Sequence, residues 1–192
     1  DARPTASDQV RIGNASVTSI GGYAEWTNLS DARFKKNVAE NVKGLDFILR
    51  LRPVTYNMDI VALSEYLRED WSAGKDGIYR KMDTPREVLL ARQAKSSLVY
   101  TGFIAQEVES AAKAASYNFS GIDTPKNPDD FYGLRYSEFV VPLVKAVQEQ
   151  QQLIEAKEKQ IEKHQNQLDE QAKQIEELRA QFNQWRQEAK QK

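Results

Sequence analysis

Apolar side chains recur every seven residues along the C-terminal part of the chain. The repeat consists of Val140, Val147, Ile154, Ile161, Leu168, Ile175, Phe182 and Ala189. No glycine or proline follows Pro142, so nothing in the sequence interrupts a helix of about 50 residues. A single helix with so narrow an apolar stripe is not stable in water, because it has no surface on which to bury that stripe. The repeat therefore predicts a coiled coil over residues 140–192.

The second set of seam positions carries many polar side chains. These positions are Leu143, Gln150, Lys157, His164, Gln171, Leu178 and Trp185. Four consecutive polar residues weaken an apolar seam but fix its register. The isoleucines of the first set favour three strands over a two-stranded leucine zipper, so we expect a homotrimer. We interpret His164 as a tolerated polar residue of this seam.

The composition excludes several classes of site. The chain has 27 basic and 28 acidic side chains and a formal net charge of -1, so no overall field favours nucleic acid or an anionic membrane. It has no cysteine and one histidine, which excludes disulfides, thiolate metal sites and a histidine-rich zinc site within one chain. No apolar run approaches the roughly 20 residues of a membrane span. We expect no metal, no cofactor, no nucleic-acid partner and no membrane insertion.

Residues 1–29 have the pattern of a short β-structured stalk. Pairs of apolar residues, Val10 with Ile12 and Val17 with Ile20, alternate between glycines, which is typical of brief strands separated by turns. Such a segment is too short to bury a core and would need identical neighbours. Trp26 is expected to pack this stalk against the following domain. The first four residues are typical of a fragment or a processed end.

Residues 30–51 show a helical period. Their apolar residues, spaced by three and four, are Phe34, Val38, Val42, Leu45, Ile48 and Leu49. Ser30 or Asp31 would cap the N-terminus of this helix, and Pro53 would end it. Residues 54–56 are predicted to form a strand.

A mixed α+β region follows. Helical patterns cover residues 60–69, 86–95 and 106–115, a strand pattern covers 98–104, and residues 121–128 have the composition of a loop. The predicted fold is therefore a small α+β domain over residues 30–139. A β-stalk precedes it, and a long helix that forms a trimeric coiled coil follows it.

Ser30 and Lys35 bring a hydroxyl and an amine close together in sequence. A neutral lysine amine can take the proton of a serine hydroxyl and make it a nucleophile. On a regular helix, however, residues five apart point about 140° away from each other. A catalytic pair therefore requires an extended or turning segment, or a lysine from a neighbouring subunit. The alternative interpretation is a helix cap at Ser30 and a solvated Lys35.

Four blocks of sequence resemble one known family, the C-terminal intramolecular chaperone and auto-processing domain of phage endosialidases, tail spikes and tail fibres. They are Ser30-Asp31 with Arg33 and Lys35-Lys36, Leu-Arg-Pro-Val-Thr-Tyr at 51–56, Gly-Phe-Ile-Ala-Gln-Glu-Val at 102–108, and residues 134–136 running into 141–149. Two features depart from the family pattern. Residues 57–97 form a longer segment than the family implies, and residues 1–29 have the pattern of a stalk and contain no recognisable enzymatic domain.

The resemblance implies a function and a site. Ser30 would be the nucleophile, Lys35 its general base, and the Leu29–Ser30 bond the one that is cut. The chain would be a C-terminal chaperone and trimerisation module of a fibre-like protein, on a phage tail or on a bacterial surface, or secreted. Its partners would be two further copies and the upstream β-stalk of the same polypeptide.

Two other functions are compatible with the sequence. The first is a permanent structural trimer domain that does not cut itself. The second is a receptor- or glycan-binding fibre tip that uses residues 57–97 as its recognition surface. Structural roles are expected for the other polar residues of the blocks. Gln106 and Glu107 are expected to be a buried pair that hydrogen-bonds the backbone, and Arg33 and Arg52 are expected to make ordinary salt bridges.

Overall fold

The computed structural model describes residues 4–14 and 17–190. The described residues include the α-helices α1 (Leu45–Ile48), α2 (Ile60–Tyr66), α3 (Arg86–Ser96), α4 (Ala105–Ala114) and α5 (Val140–Lys190), and two 3-10 helices, Ala32–Phe34 and Tyr136–Phe139. Short strands form antiparallel pairs: β1 (Val54–Asn57) with β4 (Val99–Gly102), β2 (Trp71–Ala73) with β3 (Tyr79–Lys81), and β5 (Ile122–Asp123) with β6 (Gly133–Leu134). The predicted mixed α+β class and the long C-terminal helix are confirmed.

The hydrophobic core is a cluster of aromatic rings against one face of α4. Phe47 from α1 is fully buried, and its ring centroid lies 5.0 Å from that of Phe119. Phe119 in turn meets Phe139 edge to face at 4.8 Å. Val108 and three alanines of and just after α4 complete the buried cluster. The small alanine side chains let the rings approach the helix closely, and burying these aromatic rings stabilises the domain.

The β1–β4 pair brings two of the sequence blocks together. Val54 pairs with Gly102, so the strand that follows Pro53 lies beside the start of the 102–108 block. A Cβ atom at Gly102 would stand 2.3 Å from the hydroxyl of Tyr136. That hydroxyl accepts a hydrogen bond from the backbone amide of Phe103 at 3.0 Å. Glycine is therefore required here because the Tyr136 side chain occupies the space of any larger residue.

The segment after Phe34 is fastened to the first turns of α5. The Glu149 carboxylate accepts a hydrogen bond from the backbone amide of Leu45 at 2.7 Å. A Cβ atom at Gly44 would lie 2.6 Å from a Glu149 carboxylate oxygen and 2.8 Å from the backbone nitrogen of Ala146. The close approach of Gly44 to α5 thus positions the short helix α1, whose Phe47 enters the core.

Residues 57–97 fold as a helical pair with a hairpin. Helices α2 and α3 pack on each other, and β2–β3 forms a two-stranded hairpin between them in sequence. Arg92 of α3 is buried and donates to both carboxylate oxygens of Asp70 at 2.6 and 2.8 Å. Glu69 lies 3.5 Å from the same guanidinium. The helices predicted at 60–69, 86–95 and 106–115 are confirmed as α2, α3 and α4.

The helix predicted over residues 30–51 is wrong. The chain forms a single 3-10 turn at Ala32–Phe34, runs without regular structure to Gly44, and becomes helical again only at α1. Asn37 has a positive φ of 55°, which no α-helix contains. Phe34 and Val38, part of the predicted apolar stripe, are 69% and 83% exposed. Without a surface to cover that stripe, the helix has little to stabilise it.

The strands predicted for the stalk are also absent from the part that the structure describes, residues 4–14 and 17–29. A strand needs a pairing partner, and these described residues pair with no strand. Trp26 is 87% exposed, so the predicted packing of this side chain against the domain is wrong for the single chain. Residues 1–3, 15 and 16 of the predicted stalk lie outside the described residues.

Helix α5 carries its heptad stripe on an uncovered surface. It runs for 51 residues, and its apolar seam positions from Val147 to Trp185 are all more than half exposed. The helix is confirmed and is compatible with a coiled coil, whereas three-stranded assembly stays a prediction. Residues 191–192 of the predicted coiled coil lie outside the described residues. Of the helices described, none has the length and apolar character needed to cross a membrane.

Candidate functional site

The Ser30 and Lys35 side chains meet. The Nζ of Lys35 donates a hydrogen bond to the Oγ of Ser30 at 2.8 Å. The 3-10 turn between them and the extended backbone of Lys35, at φ -93° and ψ 128°, turn the chain so that the two side chains lie on one side. This is the turning segment that the five-residue spacing requires of a pair within one chain. The distance suits proton transfer between a nucleophile and its base.

Asp31 holds the turn that makes this meeting possible. Its carboxylate caps the 3-10 helix by accepting from the backbone amide of Arg33 at 2.9 Å. The Arg33 guanidinium also donates hydrogen bonds of 2.6 to 3.1 Å to both carboxylate oxygens of Asp31. The Arg33 side chain, and after it the Arg33 amide, lowers the pKa of Asp31. Asp31, one of the two residues predicted to cap a helix, thus caps a 3-10 turn instead. Arg33 makes the predicted salt bridge.

The pair and the bond before it are accessible to solvent. Ser30 and Lys35 are exposed, and the side chain of Leu29 is 82% exposed. In the hydrogen bond between them the amine is the donor, the reverse of the direction that a general base needs. The isolated chain therefore presents the hydroxyl, the amine and the preceding peptide bond together at its solvent-exposed surface.

A run of exposed apolar side chains surrounds the pair in sequence. Its members are 69% to 113% exposed and comprise Tyr23, Trp26, Leu29, Phe34 and Val38. We call these five residues the junction patch. Large apolar side chains gathered in one short segment are typical of a surface that another chain covers.

Arg52 and Glu107 join two of the sequence blocks. Arg52 Nε donates to one oxygen of Glu107 at 3.0 Å, and its terminal nitrogen contacts the other at 2.5 Å. The bidentate contact lowers the pKa of Glu107. Arg52 therefore makes the predicted salt bridge. The predicted buried pair of Gln106 and Glu107 is wrong: Gln106 is exposed, the Glu107 side chain is 42% exposed, and its carboxylate bonds the Arg52 side chain rather than the backbone.

A second polar centre, at Asp130, has no counterpart in the sequence-based prediction. Asp130 is 7% exposed and gathers side chains from residues 5–11, more than 110 positions away in the chain. Beside it lies a cavity of about 400 Å³ that is walled on one side by residues 11–14 and on the other by aromatic and aliphatic side chains, among them Tyr56, Tyr100 and Phe131. A local pattern cannot reveal this centre, because its partners come from opposite ends of the sequence.

Within the described ranges 4–14 and 17–190, no three histidine, aspartate or glutamate side chains lie close enough together to hold a metal ion. The chemistry that the candidate site offers is that of a hydroxyl, an amine and the preceding peptide bond.

Comparison with known proteins gives one family. Residues 30–117 match the family described as chaperone of endosialidase. The match starts at Ser30 and contains three of the four sequence blocks; the block at 134–149 and helix α5 lie beyond it. Neither the curated proteins nor the solved structures gave a match.

Proposed function

We propose that this chain, whose residues 30–117 match the family described as chaperone of endosialidase, is the C-terminal chaperone and trimerisation module of a tail-fibre-like protein. We further propose that it cuts itself at the Leu29–Ser30 bond. The contact between Lys35 Nζ and Ser30 Oγ carries the proposal. It lies at the first residues of the family match, where chaperone domain and upstream chain meet. The module would act on a phage tail or a bacterial surface, or after secretion.

The proposed reaction uses the Ser30 hydroxyl, the Lys35 amine that contacts it, the Leu29–Ser30 peptide bond and water. Ser30 Oγ attacks the carbonyl carbon of Leu29 while Lys35 takes the hydroxyl proton. The carbon–nitrogen bond then breaks, the proton passes to the Ser30 nitrogen, and the acyl group is left on Oγ as an ester. Water hydrolyses that ester to give a Leu29 carboxylate and a free Ser30 hydroxyl. Base catalysis of this kind contributes about 10²- to 10⁴-fold.

Assembly would switch this chemistry on. A lysine amine accepts a proton only in its neutral form, and burial favours that form. In the single chain the Ser30–Lys35 pair is exposed, as is the junction patch beside it. Two further copies that cover the junction patch would remove water from the pair. Cutting would then follow correct folding of the stalk rather than precede it.

Trimerisation is proposed on the basis of helix α5. Its exposed apolar seam, with Ile154 51% exposed and Ile161 66% exposed, requires partner helices. Three parallel helices would hold three chains in register while the glycine-containing stalk, whose register is weakly specified, finds its pairing. Removal of the module after cutting would leave the stem kinetically trapped, since its folding aid is gone.

Denaturing electrophoresis tests the cutting. The unaltered chain is expected to give a product of residues 30–192, whose N-terminal residue is identified by sequencing. Ser30→Ala and Lys35→Ala should give full-length chain only. Lys36→Ala is the matched control, because Lys36 is the exposed neighbouring lysine and should leave the product unchanged. Full-length chain alone from the unaltered protein would leave the permanent structural trimer as the function.

A further inference from the structure

The N-terminal residues fold back over the chaperone domain as a strap, defined here as residues 5–11. Thr5 Oγ1 donates to the Asp130 carboxylate at 2.5 Å, and Gln9 Nε2 lies 3.4 Å from both of its oxygens. The Arg11 guanidinium stands 3.7 Å from the same carboxylate. The strap therefore brings a hydroxyl, an amide and a guanidinium to one buried acid.

Inside the strap, Gln9 also ties the local backbone together. Its side-chain carbonyl accepts from the backbone amides of Thr5 and Ala6 at 3.0 and 3.1 Å. One glutamine thus closes a turn with its oxygen and directs its amide group at Asp130. The strap is therefore a turn that directs its hydrogen-bond donors at Asp130, and not an extended segment.

The loop that receives the strap is built around the same carboxylate. Asp130 accepts from the backbone amide of Lys126 at 3.1 Å, which closes the loop of residues 126–131. From that loop Asn127 Nδ2 donates to the Thr5 carbonyl at 2.7 Å. The Phe131 ring lies 4.3 Å beneath the Arg11 guanidinium. We call residues 126–131 the receiving loop.

A further contact extends the strap towards the stalk. The Lys95 ammonium, on helix α3, donates to the carbonyl of Val17. Between these two anchor points, residues 11–14 bridge the cavity of about 400 Å³ without filling it. Both the receiving loop and α3 therefore hold the chain upstream of the proposed cut.

We propose that the receiving loop is a binding site for the upstream polypeptide, and that it keeps the N-terminal product on the chaperone domain after the Leu29–Ser30 bond is cut. Its ligand is the strap of this same chain, recognised by Thr5, Gln9 and Arg11. Cutting and release are then separate events. The role after cutting rests on the proposed function, whereas the binding site itself does not.

A controlled cut tests the site without the self-cutting reaction. The recognition sequence of a specific protease is inserted between Gly21 and Gly22, which are exposed, in a full chain that also carries Ser30→Ala. An added Cβ at Gly21 would meet no atom within 4 Å, so the insertion has room. The folded protein is cut, and native size-exclusion chromatography measures how much of the N-terminal fragment elutes with the rest of the chain.

The fragment is expected to stay bound in this background. In Asp130→Ala, the amount of fragment that elutes separately from the rest of the chain should be at least tenfold larger. Asp83→Ala is the matched control, since Asp83 is an exposed acid outside the receiving loop. Thr5→Val combined with Gln9→Ala weakens the strap from its own side and leaves the receiving loop intact, so it decides the question if Asp130→Ala fails to fold. Complete separation in the unaltered background, or equal retention in both strap-side and control variants, would overturn the site. Because Ser30 is absent throughout, neither outcome depends on self-cutting.

Discussion

Ser30 and Lys35 meet because one 3-10 turn and one extended residue lie between them. The Asp31 carboxylate stabilises this turn because it accepts hydrogen bonds from the Arg33 backbone amide and from the Arg33 guanidinium. The side-chain identities needed for the reaction can be read from the sequence. The turn cannot, since the same residues equally suit the cap of a regular helix, and that alternative separates the pair.

Lys35→Arg separates the role of a base from that of a hydrogen-bond donor. Arginine keeps the positive charge and can still donate to Ser30 Oγ, but it does not lose its proton in proteins and cannot serve as a base. We expect the 30–192 product to fall by about 10²-fold or more in electrophoresis. Lys36→Arg is the control and should cut normally. Equal cutting by the Lys35→Arg chain would exclude Lys35 as the base.

At the scale of elements, the short helix α1 contributes more to the packing of the core than its length of four residues suggests. Phe47 is fully buried among Tyr117, Phe119 and Phe139, with ring centroids 5.0 to 6.4 Å away. Gly44 and the Glu149 carboxylate fix the helix against α5. The element therefore connects the segment that carries the candidate site to the long helix.

Phe47→Ala should destabilise the domain by about 3–5 kcal/mol, because it removes a large buried ring and leaves a cavity. Leu49→Ala, in the same stretch but 75% exposed, should change the free energy of unfolding by less than about 0.5 kcal/mol. Urea unfolding followed by circular dichroism measures both. Similar losses in the two variants would contradict the placement of Phe47 at the centre of the core.

The strap is expected to hold over a wide pH range. The Thr5 hydroxyl, and after it the Lys126 amide, lowers the pKa of Asp130 from 3.8 to about 2, while Arg11 is the charged side chain that faces it. A lowered pKa means that the contribution of the carboxylate is complete above the ordinary value and is lost as the pH falls towards about 2. Retention of the cut fragment should therefore be constant from pH 7 to about 4. Release between pH 7 and 5 would contradict this assignment.

The elements that were predictable from sequence are those whose pattern reflects local burial. Helix α4 is one, because its alanines and Val108 cover a core that lies directly beneath them. The helix predicted from Ser30 is the opposite case. Phe34 and Val38 have the right spacing, but both are exposed, and the positive φ of Asn37 is incompatible with an α-helix. The Asp130 centre could not be predicted from sequence patterns, because Thr5 and Asp130 are 125 positions apart and no local pattern relates them.

On the scale of the whole molecule, two exposed apolar surfaces lie on either side of the folded domain. The junction patch precedes it, and the seam of α5 follows it. Large apolar side chains that are this exposed and this close in sequence are typical of surfaces that a partner chain covers. One arrangement covers both: three copies whose α5 helices join and whose stalks lie together. Assembly through α5 and burial of the Ser30–Lys35 pair would then be two results of one association.

A matched pair of α5 variants tests that coupling. Ile154→Asp with Leu168→Asp places charges in the seam, whereas Gln152→Asp with Asn166→Asp places the same charges at the same spacing on another face of the helix. Light scattering in a Ser30→Ala background, where the chain stays intact, should give three times the chain mass of 21.9 kDa for the outer-face variant and for the chain with no change in α5, and one chain mass for the seam variant. Electrophoresis of the same α5 variants with Ser30 restored should show the 30–192 product only in the two trimeric proteins. A monomeric seam variant that still cuts would show that a single chain supplies everything the reaction needs, and the proposed coupling of cutting to assembly would be wrong.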